Sequence, residues 1–99
     1  MQPKVLVDAD RLAEFCRQNG IHRLAVFGSV LRDDFRPNSD VDVLVEFEPG
    51  RTPGLRFFWI QDELSHLFGR MVDLHTPTSL SRYFRDQVLA EAKDQYVAA

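Results

Sequence analysis

Two aspartates, Asp40 and Asp42, stand one residue apart at the head of an apolar run that continues through Val43, Leu44 and Val45 to Phe47. Alternation predicts a strand here. Val41, Val43, Val45 and Phe47 face one way, and Asp40, Asp42 and Leu44 face the other. The two carboxylates then share a face, with Cβ atoms roughly 6–7 Å apart. Carboxylates so placed repel one another unless cations lie between them. The spacing suits a pair of divalent ions about 3.5–4 Å apart, the arrangement used for phosphoryl and nucleotidyl transfer. Mg²⁺ is the natural occupant, because it accepts one or two protein carboxylates and completes its shell with water and phosphate oxygens. Upstream, Gly28-Ser29 closes another apolar run, Leu24 to Phe27. Glycine lets a phosphate come close to the backbone. Ser29, read as the N-cap of one helical turn over residues 30–33, would aim its hydroxyl and amide at an anion.

These groups need a scaffold. Asp8 and Asp10 offer helix starts before a helix over Arg11–Asn19, with Leu12, Phe15 and Cys16 on one side and Gly20 as its stop. Ile21–Phe27 is the first strand, with His22 at its solvent end. Arg36-Pro37-Asn38-Ser39 is turn chemistry ahead of the second strand. Two Pro-Gly pairs mark a loop, and a helix follows over residues 55–67, ended by Gly69. Phe57, Ile60, Leu64, Leu67 and Phe68 form its core stripe. Trp59 falls on the opposite face, either lying over the Pro-Gly loop or serving as a contact point for another protein. Residues 70–75 form a third strand with Met71, Asp73 and His75 on one face. An aspartate there is costly without a cation or donors, and His75 reads as a strand-end residue near solvent, with a place lining the site as the alternative. A last helix is expected from Leu80 to about Tyr96, with Leu80, Phe84, Val88 and Ala92 inward. This order implies a small α/β domain spanning residues 1–99, its three strands in one mixed sheet with helices packed against it.

The net charge of −3 argues against a surface for nucleic-acid polymers, which carries clustered Lys and Arg. It does not argue against a nucleotide, because bound cations reverse the sign locally. The lone cysteine excludes an internal disulfide. With no secretory or membrane-length apolar run, a cytoplasmic protein is expected, with no membrane contact.

Gly28-Ser29, ten intervening residues, then Asp40-Val41-Asp42 resembles the signature of the DNA polymerase beta-like nucleotidyltransferase superfamily. The fuller text FGSVLRDDFRPNSDVDVLVEF resembles its MNT branch, the minimal nucleotidyltransferases, and the likeness continues through Val72-Asp73-Leu74 and Thr76-Pro77. The resemblance implies that Asp40, Asp42 and Asp73 are catalytic and hold two Mg²⁺ ions. It implies that Gly28 and Ser29 bind the phosphates of ATP. It gives Arg32 a phosphate-neutralising role, against an ion pair with Asp33 or Asp34. It further implies a HEPN-domain toxin as partner in a hetero-oligomer, AMP transfer to a toxin tyrosine, and an antitoxin function. A non-catalytic antitoxin that acts by occlusion is the alternative. A small-molecule nucleotidyltransferase is disfavoured by the short chain.

Overall fold

The computed structural model describes residues 7–32, 36 and 39–98. Its elements are α1 (Ala9–Gln18), β1 (Ile21–Phe27), a 3₁₀ turn (Gly28–Leu31), β2 (Val41–Phe47), α2 (Arg56–Phe68), β3 (Val72–His75), α3 (Arg82–Glu91) and β4 (Lys93–Val97). The sheet runs β3-β2-β1-β4. β1 is antiparallel to both β2 and β4, while β2 and β3 are parallel. The mixed α/β architecture expected from the sequence is present, with one strand more than the three anticipated.

Alternation on the strands divides the molecule into two faces. Leu24 and Val26 of β1, Val41, Val43 and Val45 of β2, and Val72 and Leu74 of β3 point to one side, where Leu12 and Cys16 of α1 and Ile60, Leu64 and Phe68 of α2 meet them. The stripes read on both helices are therefore the core. Asp8 caps α1, its Oδ1 accepting from the Asp10 and Arg11 amides at 2.9 and 3.1 Å. Gly69 closes α2 in the left-handed conformation (φ 67°). On the other face Phe27, Leu44 and Val88 form a smaller cluster edged by Leu31, Leu80, Leu89 and Ala92. Among the described residues, α3 and the end of the 3₁₀ turn cover this face. Phe84, expected to point inward, is 61% exposed instead, because α3 is shorter and seats itself through Val88 and Leu89.

β4 corrects the reading of a last helix reaching Tyr96. Ala92 leaves the helix at φ −60°, ψ 139°, and the following residues pair with β1, Leu24 against Tyr96 and Val26 against Lys93. Lys-Asp-Gln is edge-strand composition, and no glycine or proline announces the break. Arg23 fixes the new strand. Its Nε donates to Asp94 Oδ1 at 2.6 Å and its Nη1 to Glu46 Oε2 at 2.9 Å, so one half-buried guanidinium ties β4 to β1 and β2. Those bonds, to Asp94 first and Glu46 second, raise the Arg23 pKa further above its ordinary value. Arg23→Met should lower unfolding stability by about 2 kcal/mol. Urea denaturation measures that loss, and hydrogen exchange should accelerate at β4 amides before α2 amides.

Cys16 is fully buried, and burial pushes its thiol up to about 12, Arg17 opposing weakly. The native chain should therefore show no thiol reaction with a disulfide reagent at pH 8 over hours, and one equivalent at once in denaturant. Trp59 is 48% exposed, but its ring stacks on Phe15 of α1 at 6.5 Å, with the Arg56 guanidinium 5.4 Å from its centroid. Its intramolecular cover therefore includes a helix that the sequence reading did not connect with it. No helix among the described residues is long and apolar enough to cross a membrane.

Candidate active site

The parallel register of β2 and β3 sets Asp42 directly beside Asp73. Both lie on the face away from the main core, since Val41, Val43, Val72 and Leu74 occupy the other. β3 is an edge strand, and two side chains of α2 hold it in place. Ser65 Oγ accepts from the Val72 amide at 2.9 Å, and Gln61 Oε1 accepts from the Leu74 amide at 3.0 Å. The amides flanking Asp73 are thus satisfied by α2, which covers the edge and fixes the height of Asp73 on the sheet. Neither Ser65 nor Gln61 was singled out from the sequence. Their signal was faint: two polar residues at i and i+4 beside a core stripe.

β1 ends at Phe27, the residue paired with Asp42. The chain then turns at Gly28 with φ 76°, and a Cβ there would lie 2.5 Å from Asp42 Oδ2. Glycine is required twice over, for the left-handed backbone and for the space the carboxylate occupies. Ser29 follows, half-buried. It does not cap the turn as expected: the 3₁₀ segment starts at Gly28, its N-cap position is Phe27, and no side chain makes a cap hydrogen bond. Starting two residues earlier, the tight turn passes the capping position back to an apolar residue.

Asp42, Asp73 and His75 form a group whose ligand-capable atoms all lie within 4.8 Å of one another. His75 Nε2 stands 3.3 Å from Asp73 Oδ2 and 3.6 Å from Asp42 Oδ1. That nitrogen is out of reach of solvent and completes no hydrogen bond. Contact with the Asp42 carboxylate raises the His75 pKa. Burial opposes that rise, and the Asp73 charge adds to it. The imidazole packs edge-on against the Phe27 ring, centroids 5.4 Å apart. His75 is therefore a member of the site rather than a solvent-facing strand end: it shares the face of Asp73, and Phe27 and Asp42 of the neighbouring strands pack against it.

Asp40 lies just before the ladder, which begins where the Val41 amide donates to Met71 O at 2.9 Å. It is exposed and outside the three-residue group. Arg32 points across to α3, its Nη2 3.7 Å from Glu91 Oε1. Asp33 and Asp34, the partners considered for it, lie outside the described residues. Beside Gly28 a shallow groove runs between the 3₁₀ turn and α3, lined by Phe27, Arg32, Leu80, Phe84, Val88 and Glu91.

The donor set suits a divalent cation. Two carboxylates and an imidazole converge, the imidazole nitrogen has no hydrogen-bond partner, and the missing side chain at position 28 leaves one carboxylate room. A mixed sheet carrying such acids beside a Gly-Ser turn, with its helices mainly on the opposite face, is the architecture of a minimal nucleotidyltransferase. Residues 9–95 match the nucleotidyltransferase domain family, and the chain belongs to it. It is similar to the protein adenylyltransferase MntA of Thermococcus cleftensis, 38% identical over 73 residues (73% of this chain and 72% of that protein). It is also similar to MJ0435 of Methanocaldococcus jannaschii, provisionally named a protein adenylyltransferase, at 35% identity over 77 residues (78% and 82%). Among solved structures, a toxin–antitoxin complex with AMP-PNP contains a chain that superposes with TM-score 0.70 at 21% identity, covering 93% of this chain and 75% of that one.

Proposed function

We propose that this nucleotidyltransferase moves AMP from ATP onto a tyrosine hydroxyl of a partner HEPN-domain toxin, and so acts as an antitoxin. The observation carrying this reading is the side-by-side placement of Asp42 and Asp73 against the Gly28 backbone. The relatives named protein adenylyltransferase support the acceptor class. A solved complex of a tri-AMPylated Shewanella oneidensis HEPN toxin with its MNT antitoxin, similar in fold to this chain, supports the partner.

In this reaction the acceptor oxygen attacks the α-phosphorus, the bond to the β-phosphate oxygen breaks, and pyrophosphate leaves. Two Mg²⁺ ions, when bound, would neutralise charge on the triphosphate and lower the pKa of the acceptor hydroxyl. Asp42 and Asp73 are the ligands, with Asp73, more than half exposed, open to receive the acceptor's proton. Asp40 joins them from the mouth of β2, where no ladder bond restrains it. Gly28 and Ser29 take the β- and γ-phosphates, Ser29 with a hydroxyl not spent on capping. Arg32 swings from Glu91 to phosphate, at small cost because that long, partly exposed pair is worth about 1 kcal/mol at most. ATP supply places this work in the cytoplasm.

The test incubates the chain with Mg²⁺, labelled ATP and its cognate HEPN-domain partner. Mass spectrometry should find whole AMP units on the toxin, and none with Asp40→Ala/Asp42→Ala. Toxin neutralisation that survives the double substitution would falsify the catalytic account and leave occlusion.

A further inference from the structure

The third donor at the acidic pair is nitrogen, and that changes which cation the pair prefers. His75 Nε2 lies 3.3 and 3.6 Å from oxygens of Asp73 and Asp42. Around one ion with bonds of about 2.1 Å, neighbouring ligands stand about 3.0 Å apart at right angles and about 3.4 Å apart in a tetrahedron. These two separations are close to those of ligands sharing one ion, and the three donor atoms all lie within 4.8 Å of one another. Nε2 is shielded from water and meets neither carboxylate in good hydrogen-bond geometry, so a neutral ring with its proton on Nδ1 has a lone pair there to give a cation. Phe27 against the ring restricts its orientation. Carboxylate and water ligands suit Mg²⁺ and Mn²⁺ alike; an imidazole separates them, because a first-row transition ion binds nitrogen more strongly than Mg²⁺ does.

We propose that His75 is an inner-sphere ligand that makes this centre bind Mn²⁺ selectively over Mg²⁺. The inference rests on the reading of Asp42 and Asp73 as metal ligands, and assigns the histidine a part in choosing the ion. A chain with a non-coordinating residue at position 75 would keep both carboxylates and lose the preference.

Mn²⁺ titration followed by electron paramagnetic resonance, on the full chain without nucleotide, reads the binding directly. Pulsed measurements on the Mn²⁺ complex should show coupling to one directly bound imidazole nitrogen, altered when histidine is labelled with ¹⁵N. His75→Gln should remove that coupling and weaken Mn²⁺ by about tenfold or more, while Mg²⁺, measured by competition, changes less than about threefold. His22→Gln and His66→Gln should leave the coupling intact. Mn²⁺ bound without nitrogen coupling in the unsubstituted chain overturns the role of His75 and leaves the carboxylate site standing. Failure of the chain to bind Mn²⁺ at all overturns both. Because the ¹⁵N comparison uses the unsubstituted protein, it decides the matter even if His75→Gln folds poorly.

Discussion

Asp42→Asn is expected to reduce AMP transfer by roughly 10³-fold or more, equivalent to several kcal/mol of lost transition-state stabilisation, while leaving the fold intact. Asp42 is the member of the group shared by every neighbour. It pairs with Phe27 on one side and Asp73 on the other, lies against Gly28, and faces His75. The amide keeps the shape and hydrogen-bonding capacity but removes the charge that holds a cation. The metal-free chain should not suffer from that loss. Two acids directly abreast on neighbouring strands repel, and like charges so placed cost on the order of 0.2–1 kcal/mol. Removing one relieves the repulsion, partly offset by the weaker hold on His75. Thermal unfolding without metal should therefore stay level or rise slightly as turnover disappears. A marked fall in melting temperature would mean that Asp42 is structural, and the loss of activity would then say nothing of catalysis.

Gly28→Ala should be the most damaging change that alters no charge. The left-handed backbone at position 28 costs an L-residue about 1–2 kcal/mol. The added methyl meets Asp42 Oδ2 at 2.5 Å and Asp42 Cγ at 3.4 Å, so the carboxylate must rotate away. That rotation is cheap for folding, because the carboxylate is the free end of a short side chain, but it takes Asp42 out of reach of Asp73 and His75. Stability should fall by about 1–2 kcal/mol in urea, and AMP transfer by roughly 10²-fold or more, with metal affinity falling in step. Gly50→Ala provides the contrast. Its φ is also positive, but a Cβ there meets nothing within 4 Å. It should show a similar stability loss and nearly unchanged transfer. If the two variants lose activity equally, the contact with Asp42 is not what makes Gly28 necessary.

Most of the scaffold was legible because its signals are local. Strand alternation placed Asp42 and Asp73 on one side and the valines on the other. Helical spacing picked out Leu12 and Cys16, then Ile60, Leu64 and Phe68, all of them buried. Gly69 marked the end of its helix through the conformation it alone adopts cheaply. The last strand was not legible. Lys93-Asp94-Gln95 has no apolar rhythm, and it pairs because Arg23, some seventy residues earlier, gathers Asp94 and Glu46. Such a gain is non-local and outweighs the weak helical preference of the segment.

The candidate site divides along the same line. The residue types and intervals alone determined that Gly28-Ser29 follows one strand and the Asp40–Asp42 pair opens the next, because side-chain direction and turn chemistry depend on a few adjacent residues. The resemblance implies that Asp73 joins that pair, and tertiary structure decided how the acids meet. The parallel register seats Asp73 against Asp42, Ser65 and Gln61 hold that register from α2, and His75 enters as the third donor. Register between distant strands is set by how the two helices and the sheet fill a shared core, and that packing is a property of the whole chain rather than of any window within it.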